Sequence, residues 1–349
     1  MSNATGRYEP QTRVCVDDGW ELAEDLDGPQ KLRTDVTVET CKSALTRNAS
    51  PDIPFDRSLN PYRGCEHGCV YCYARPSHAY MNLSPGLDFE SKLFVKADMV
   101  ERLEHELRKP SYKAAPVMIG ANTDPYQRIE GDYEITRSLL EVLRDYRHPA
   151  VIVTKSHMVT RDLGLLAEMA ADNLISVGIS LTTLDKDLAR TLEPRAATPT
   201  RRLQAMEILS AASVPVTVLA APMIPTLNDV ELEGILKASR DAGAETAAYI
   251  LLRLPLELKD LFAEWLEAHV PNKAKRVMSL LKQSRNGQLY ISEFGTRMTG
   301  AGVHAKLLNQ RFHVACKKLG LRPAESNEFP LNSSAFTCPP KVGDQLGLF

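Results

Sequence analysis

Apolar and polar positions change rhythm twice along this chain. Up to about residue 55 they keep no clean period. Ser50-Pro51-Asp52-Ile53-Pro54 reads as a turn-rich connector, so 1–55 is expected to be an extension that wraps a core or stays partly mobile. From 56 to 255, short apolar runs recur at 116–120, 150–154, 175–181, 216–220 and 248–252, and all but the last are followed by a helical stretch. Ile135, Leu139, Val142 and Tyr146 fall three to four apart, the spacing of one helix face. Thr198 before Pro199 places a capping side chain ahead of a proline at the first helical position. Asn228 with Glu231 resembles a capping box, with Leu232, Ile235 and Leu236 as the apolar face that follows and Gly243 at the stop. Strand alternating with helix at this spacing builds a parallel sheet. A further strand just before Cys65 would bring the count to six. The expected fold is α/β, a partial (β/α)6 barrel rather than a closed eight-fold one.

Beyond 256 the strand signal fades. Residues 256–269, 274–283 and 305–319 read as helices, and the tail, with Pro323, Pro330, Pro339 and Pro340, as irregular. The chain thus divides into an extension (1–55), a core (56–255), a helical region (256–322) and a tail (323–349). In a parallel barrel, chemistry gathers at the C-terminal strand ends. Those positions are Asn122-Thr123-Asp124, Lys155-Ser156, Thr182-Thr183, Pro222 to Asn228, and Arg253. Any one of them alone is equally well explained as a polar loop residue; their convergence is what points to a ligand.

Composition narrows the setting. Apolar residues make up 44% of the 349, enough for a sizeable core. No apolar run approaches the ~20 residues that cross a bilayer, and the first residues lack the basic-then-apolar form of a signal peptide. A cytoplasmic protein with no membrane partner is expected. Seven cysteines, three of them within 65–72 and the others at 15, 41, 316 and 338, do not make the even, spread set of a secreted disulfide framework. In a reducing compartment a tight cysteine group signals metal or redox chemistry. The near balance of 42 basic and 44 acidic residues hides a polarity. Six acids and no base lie in 17–27, whereas 270–322 holds eleven Lys or Arg and one acid, Glu293.

The cysteine stretch reads Asn60-Pro-Tyr-Arg-Gly64-Cys65-Glu-His-Gly68-Cys69-Val-Tyr71-Cys72-Tyr-Ala-Arg75, a C-x-x-x-C-x-x-C spacing. Three thiolates on one loop can each take one iron of a 4Fe–4S cube and leave the fourth iron open. Gly64 and Gly68 let the backbone turn tightly, with N–H groups able to face the cluster sulfurs. An open iron can chelate a small molecule through an amine and a carboxylate, which S-adenosylmethionine (SAM) offers. One electron into its sulfonium breaks a C–S bond and yields a 5′-deoxyadenosyl radical that abstracts hydrogen from a substrate. Other readings compete. A structural zinc would take His67 or a distant residue as fourth ligand. A disulfide plus a free thiol suits an oxidising compartment, and a ferredoxin-type site needs a fourth cysteine.

The loop resembles the signature of the radical SAM superfamily. The longer string from Asp56 to Tyr80, with Thr123-Asp124-Pro125-Tyr126-Gln127, Val153-Thr154-Lys155-Ser156 and Glu193-Pro194-Arg195, is similar to a narrower branch related to spore photoproduct lyase and often labelled DNA repair photolyase. The resemblance covers nearly the whole chain. It implies a cluster on Cys65, Cys69 and Cys72, SAM as cofactor, and an electron donor such as a flavodoxin or ferredoxin. It puts Tyr71 against the adenine region, Asn122, Thr123 and Asp124 at the SAM amino group, and Lys155, Ser180 and Arg195 at its carboxylate and ribose. For Arg195 a loop salt bridge is the competing role. Spore photoproduct lyase returns a hydrogen to its substrate from a cysteine soon after the cluster loop, and this chain has no cysteine between Cys72 and Cys316. Cys316, Cys338 and Tyr126 are the candidates left for catalysis.

A nucleic-acid substrate is expected from 270–322, where Lys273, Lys275, Arg276, Lys282, Arg285, Lys317 and Lys318 interleave with Tyr290, Phe294 and Phe312. Cations track phosphates and aromatic faces stack on bases. A solvated basic helix pair that balances the acidic N-terminal stretch would look the same. The alternatives are a DNA-associated module with a structural cluster or zinc, and an enzyme that modifies a peptide or protein; such enzymes often carry extra C-terminal cysteine clusters, which this chain lacks. Last, Gln345-Leu346-Gly347-Leu348-Phe349 resembles the peptide by which bacterial repair factors dock on the sliding clamp, its apolar residues set in a Pro-rich polar tail.

Overall fold

A computed structural model describes residues 33–324 and 330–340. The acidic stretch at 17–27 and the clamp-like peptide at 345–349 lie outside the described residues. In chain order the strands are β1 (Asp35–Glu39), β2 (Thr46–Arg47), β3 (Arg57–Leu59), β4 (Tyr62–Arg63), β5 (Lys92–Lys96), β6 (Val117–Ile119), β7 (Ala150–Thr154), β8 (Ile175–Ser180), β9 (Val216–Met223), β10 (Thr246–Leu251) and β11 (Arg322–Pro323). The helices are α1 (Asp88–Ser91), α2 (Met99–Leu107), α3 (Glu130–Tyr133), α4 (Ile135–Asp145), α5 (Leu163–Ala171), α6 (Lys186–Leu192), α7 (Pro199–Ala211), α8 (Leu232–Asp241), α9 (Leu258–His269), α10 (Pro271–Gln283) and α11 (Gly302–Leu319).

The five apolar runs are β6 to β10, and the sixth strand before Cys65 is β3. The sheet order is β11-β10-β9-β8-β7-β6-β3-β2. Neighbours from β3 to β11 pair parallel, and β2 caps the edge antiparallel. The order does not return on itself, so the barrel is partial and open. β6, β7 and β8 are buried on nearly every residue, as their unbroken apolar runs suggest, whereas β9 and β10 alternate buried with partly buried positions. Leu139, Leu140 and Leu143 of α4 are fully buried beside Ile152, Ile175 and Val177. Each such side chain contributes about 1.5–3 kcal/mol. Thr198 caps α7 as expected, accepting from Arg201 N–H.

Three features depart from expectation. The extension is not merely a wrap: β1 pairs parallel with β5, which pairs antiparallel with β4, in a second small sheet beside the cysteine loop. Its signal was the short alternation in Asp-Val-Thr-Val-Glu and Lys-Leu-Phe-Val-Lys. Asn228 and Glu231 do not form a capping box. Asn228 donates to the carbonyls of Thr182 (2.6 Å) and Pro222 (2.9 Å), and Glu231 accepts from the Thr183 hydroxyl and Leu184 N–H, so the pair ties together the loops after β8 and β9. The expected helical region does contain α9, α10 and α11, but they serve two cores. Leu308, Phe312 and Cys316 of α11 join the sheet's cluster, whereas Phe262, Trp265 and Val277 of α9 and α10 pack with Cys69, Val70 and Tyr71.

Residues 330–340 are irregular yet attached. Asn332 N–H donates to Asn173 and Thr337 N–H to Tyr146, carbonyls just ahead of β8 and β7, so this segment crosses the N-terminal end of the barrel. Phe336 lies 5.5 Å from the Tyr112 and His148 rings. Among the described residues no helix is long and apolar enough to cross a membrane.

Candidate functional site

The loop that follows β4 carries Cys65, Cys69 and Cys72 as free thiols, two buried and Cys72 nearly so. Two left-handed glycines shape it, Gly64 at φ +76° and Gly68 at φ +66°. A Cβ on Gly64 would press on Leu93 and the Phe89 carbonyl, the group that accepts from Cys65 N–H at 2.9 Å. A Cβ on Gly68 would collide with the Arg195 guanidinium and the Glu90 carboxylate. Neither turn has room for a side chain: the first packs on Leu93 and backbone carbonyls, the second on the Arg195–Glu90 pair.

Two buried carboxylates organise those charges. Glu90 binds Arg75 (2.6 Å) on one oxygen and Arg195 on the other. Arg75 also donates to the carbonyls of Cys69 (2.8 Å) and Gly68 (2.9 Å), and Arg195 to that of Glu66 (2.5 Å). Both arginines hold the loop's outward-facing carbonyls, as forked guanidinium donors can. The second carboxylate, Glu193, pairs with buried Arg202, accepts from Tyr71 Oη and Thr182 Oγ1 (2.7 Å), and stands 4.0 Å from Lys155 Nζ. Burial pushes the Glu193 carboxyl up while Arg202 pulls it down.

Of the residues expected at the SAM site, several converge. Lys155 Nζ donates to Ser180 Oγ at 2.9 Å and lies 5.8 Å from the centre of the Tyr71 ring. Asp124 joins them from β6's end, but its oxygens are taken by Thr154 Oγ1 (2.7 Å), Tyr126 N–H (2.9 Å) and Lys155 N–H (2.7 Å), with His67 Nδ1 at 3.4 Å. Thr123 is buried and donates to the Tyr62 carbonyl, while the Asn122 N–H is held by Asn60. Arg195 takes the loop salt bridge.

The three expected catalytic candidates do not reach this site. Tyr126 is wholly buried and gives its hydroxyl to Asp162 at 3.0 Å. Cys316 is fully buried in the last turns of α11, where its carbonyl receives Leu321 N–H just ahead of β11. Cys338 lies beside the Leu107 carbonyl, 3.6 Å away at the end of α2. Helix ends that lead into strands stand at the barrel's N-terminal end, so both thiols sit opposite the cysteine loop. The basic region is also thinner than its composition implied. Arg285 is buried on the carbonyls of Leu251 (3.2 Å), Leu252 (2.7 Å) and Arg297 (3.0 Å). Arg297 pairs with Asp52, Arg311 with Glu233 and Arg322 with Glu245. Phe312 is core. Lys275, Arg276, Lys282, Lys317 and Lys318 remain exposed.

Sequence reasoning missed Glu90 and Arg202, and Arg75 was visible only as the end of the cysteine string. Glu193 was visible only as part of a Glu-Pro-Arg string.

The donor set suits a cluster. Burial pushes the Cys69 thiol up to about 12 and raises Cys65 and Cys72, while Lys155, Arg75 and Arg202 offer compensating positive charge. Such thiols hold their protons until iron displaces them. His67, the candidate zinc ligand, faces Asp124, and burial lowers it to about 4. Among the described residues no three His, Cys, Asp or Glu side chains gather as a single metal ion would require.

An open parallel barrel with three cysteines on the loop after its first strand defines a recognisable class. The model of the Radical SAM superfamily matches residues 59–238, and the chain belongs to that superfamily. The family implies a 4Fe–4S cluster and SAM. An uncharacterized protein of Mycobacterium tuberculosis is 38% identical over 247 residues, 70% of this chain and 72% of its own length. One from Methanocaldococcus jannaschii is 28% identical over 173 residues, 50% of this chain and 62% of its own. Among solved structures, spore photoproduct lyase complexed with dinucleoside spore photoproduct is similar in fold, with TM-score 0.58 and 15% identity over 82% of this chain and 81% of that one.

Proposed function

We propose that this protein cleaves SAM reductively at a 4Fe–4S cluster held by Cys65, Cys69 and Cys72, and uses the radical so formed on a nucleic-acid substrate. The observation that carries the reading is the loop itself: three thiols at the C-terminal end of the barrel, on a loop turned by two left-handed glycines, in a chain of the radical SAM superfamily. The bound cluster and cofactor supply a one-electron reduction of a sulfonium and a hydrogen-abstracting radical.

The chain's own residues position that chemistry. Glu90 with Arg75 and Arg195 fixes the loop from below. Lys155, oriented by Ser180, offers a cation to a carboxylate at the mouth. Tyr71, anchored through its hydroxyl to Glu193 and Thr182, presents a rigid ring face. Phe262, Trp265 and Leu266 of α9 back the loop with apolar surface and keep water from it.

For the substrate, support comes from the exposed cations of α10, the exposed aromatics Tyr73 and Phe294 near the mouth, and the dinucleoside held by the fold neighbour. The test is isotopic. Anaerobically reconstituted protein with reductant and SAM is offered deuterated DNA and RNA oligonucleotides and, in parallel, deuterated peptides. Deuterium in 5′-deoxyadenosine from one of the oligonucleotides is the expected result. Deuterium only from peptide substrates would redirect the reading to protein modification.

A further inference from the structure

Arg253 follows β10 at the barrel mouth. Its guanidinium lies 5.6 Å from the centre of the Tyr73 ring and 5.9 Å from that of Tyr290. Tyr73 is the residue after Cys72, and its hydroxyl donates to the Ala121 carbonyl beyond β6, so its ring spans from one side of the mouth to the other. The only hydrogen bond of the Arg253 side chain among the described residues goes to the Met298 thioether, at 3.3 Å, a weak acceptor. Its Nε is buried with no partner, and no carboxylate pairs with it there. Beneath it, Arg285 is almost wholly buried on backbone carbonyls, also with no carboxylate and with its own Nε unpartnered. Burial first, and repulsion from neighbouring Arg253 second, lower Arg285 to about 10.

Two neighbouring guanidinium groups without a counter-charge are costly in a folded protein. Elsewhere around the mouth each buried arginine has its acid: Arg75 has Glu90, Arg202 has Glu193. The exception therefore marks a place where the missing negative charge comes from outside the chain. Its surroundings describe the ligand. Tyr73, one of the two rings at the cation, is 49% exposed, and Phe294, four residues before Met298, is 53% exposed. Arg297, stacked 4.8 Å from the Phe294 ring centre and clamped to Asp52, holds that loop in place. Lys155 and Ser180 stand at the ends of β7 and β8, so Arg253, at the end of β10, lies apart from the residues suited to the SAM carboxylate.

We propose that Arg253 is the anion-recognising residue of the substrate site, and that it takes a phosphodiester whose neighbouring base stacks on the aromatic faces of Tyr73 and Tyr290. This rests on the nucleic-acid reading above and names the contact by which that substrate is held. A guanidinium takes two oxygens of a phosphate at once, and aromatic rings accept any base.

The test uses the full-length, anaerobically reconstituted protein and fluorescein-labelled single-stranded oligonucleotides of DNA and RNA, with anisotropy followed across a salt series. Arg253→Gln is expected to weaken binding about tenfold or more and to make the salt dependence shallower by roughly 0.7 in log–log slope, the loss of one phosphate contact on a single strand. Arg253→Lys should recover part of the affinity. Tyr290→Ala, a second variant away from the cysteine loop, should weaken binding and leave the salt slope as it is. The proposal is overturned if Arg253→Gln and Tyr290→Ala bind like the parent, or if the parent binds neither oligonucleotide. It is overturned equally if Arg253→Gln loses SAM affinity while keeping oligonucleotide affinity, since the anion would then be the cofactor's carboxylate. SAM cleavage by the parent protein, measured alongside, reports separately on the radical chemistry. Cleavage without Arg253-dependent binding removes this inference alone, and binding without cleavage removes the radical reading alone.

Discussion

The two ends of the barrel are built on opposite principles. At the C-terminal end, buried charges do the holding: Glu90 with Arg75 and Arg195, Glu193 with Arg202 and Tyr71, and Asp124 with three donors from two loops. At the N-terminal end, aromatic packing does it: Phe336 rests on Tyr112, Tyr146 and His148, and backbone bonds pin the segment at 330–340. Buried ion pairs are poor sources of net stability but fix geometry and charge. Aromatic packing yields stability and asks for little orientation. The end where the superfamily implies a cluster and a charged cofactor uses the first, and the opposite end uses the second, the division expected of a parallel barrel.

The sharpest way to break the comparison is at the thiols. Cys65→Ala, Cys69→Ala and Cys72→Ala should each reduce bound iron and sulfide to background in anaerobically purified protein, whereas Cys316→Ala and Cys338→Ser should keep parental iron. Loss of iron in Cys338→Ser would show that the opposite end takes part in the site. Next in size is Glu193→Gln, which leaves Arg202 buried without its carboxylate and should cost about 3–5 kcal/mol in chemical denaturation. A loss under about 1 kcal/mol would mean that water reaches the pair.

Smaller effects belong to the other end. Phe336→Ala removes a half-buried ring and should cost about 1–2 kcal/mol without changing SAM affinity; a change in affinity would mean that the ends communicate. His148 supplies a pH test. It is fully buried between Tyr112 Oη (2.7 Å) and the Pro149 carbonyl (2.9 Å), and burial depresses it to about 4. The unfolded chain then binds a proton that the folded chain refuses. Stability from this residue is intact above about pH 6.5 and falls toward pH 4, by at most about 1.4 kcal/mol per pH unit. His148→Gln should flatten that part of the stability profile, and an unchanged slope would place the acid sensitivity elsewhere.

The strands and the cysteine loop were legible because their signals are local. An apolar run shows its burial in its own residues, and three cysteines in eight positions need no partner to be noticed. The second sheet hid in two five-residue alternations separated by some fifty positions, too short to stand out alone. The charge network was illegible for a different reason. Glu90, Arg75 and Arg202 look like ordinary surface residues until the fold brings them together, and Arg285 reads as one more cation until its carbonyl partners appear. Composition counted Phe312 with the nucleic-acid face, although Ala305, Leu308, Phe312 and Cys316 repeat at the spacing of a buried helix stripe. Periodicity there was the better guide.

The most direct measurement is the fate of SAM. Protein reconstituted without oxygen and treated with a strong reductant should convert SAM to methionine and 5′-deoxyadenosine in equal amounts, with no product from the Cys69→Ala variant. A parent protein that holds a 4Fe–4S cluster and binds SAM, yet yields no 5′-deoxyadenosine under reduction, would contradict the account.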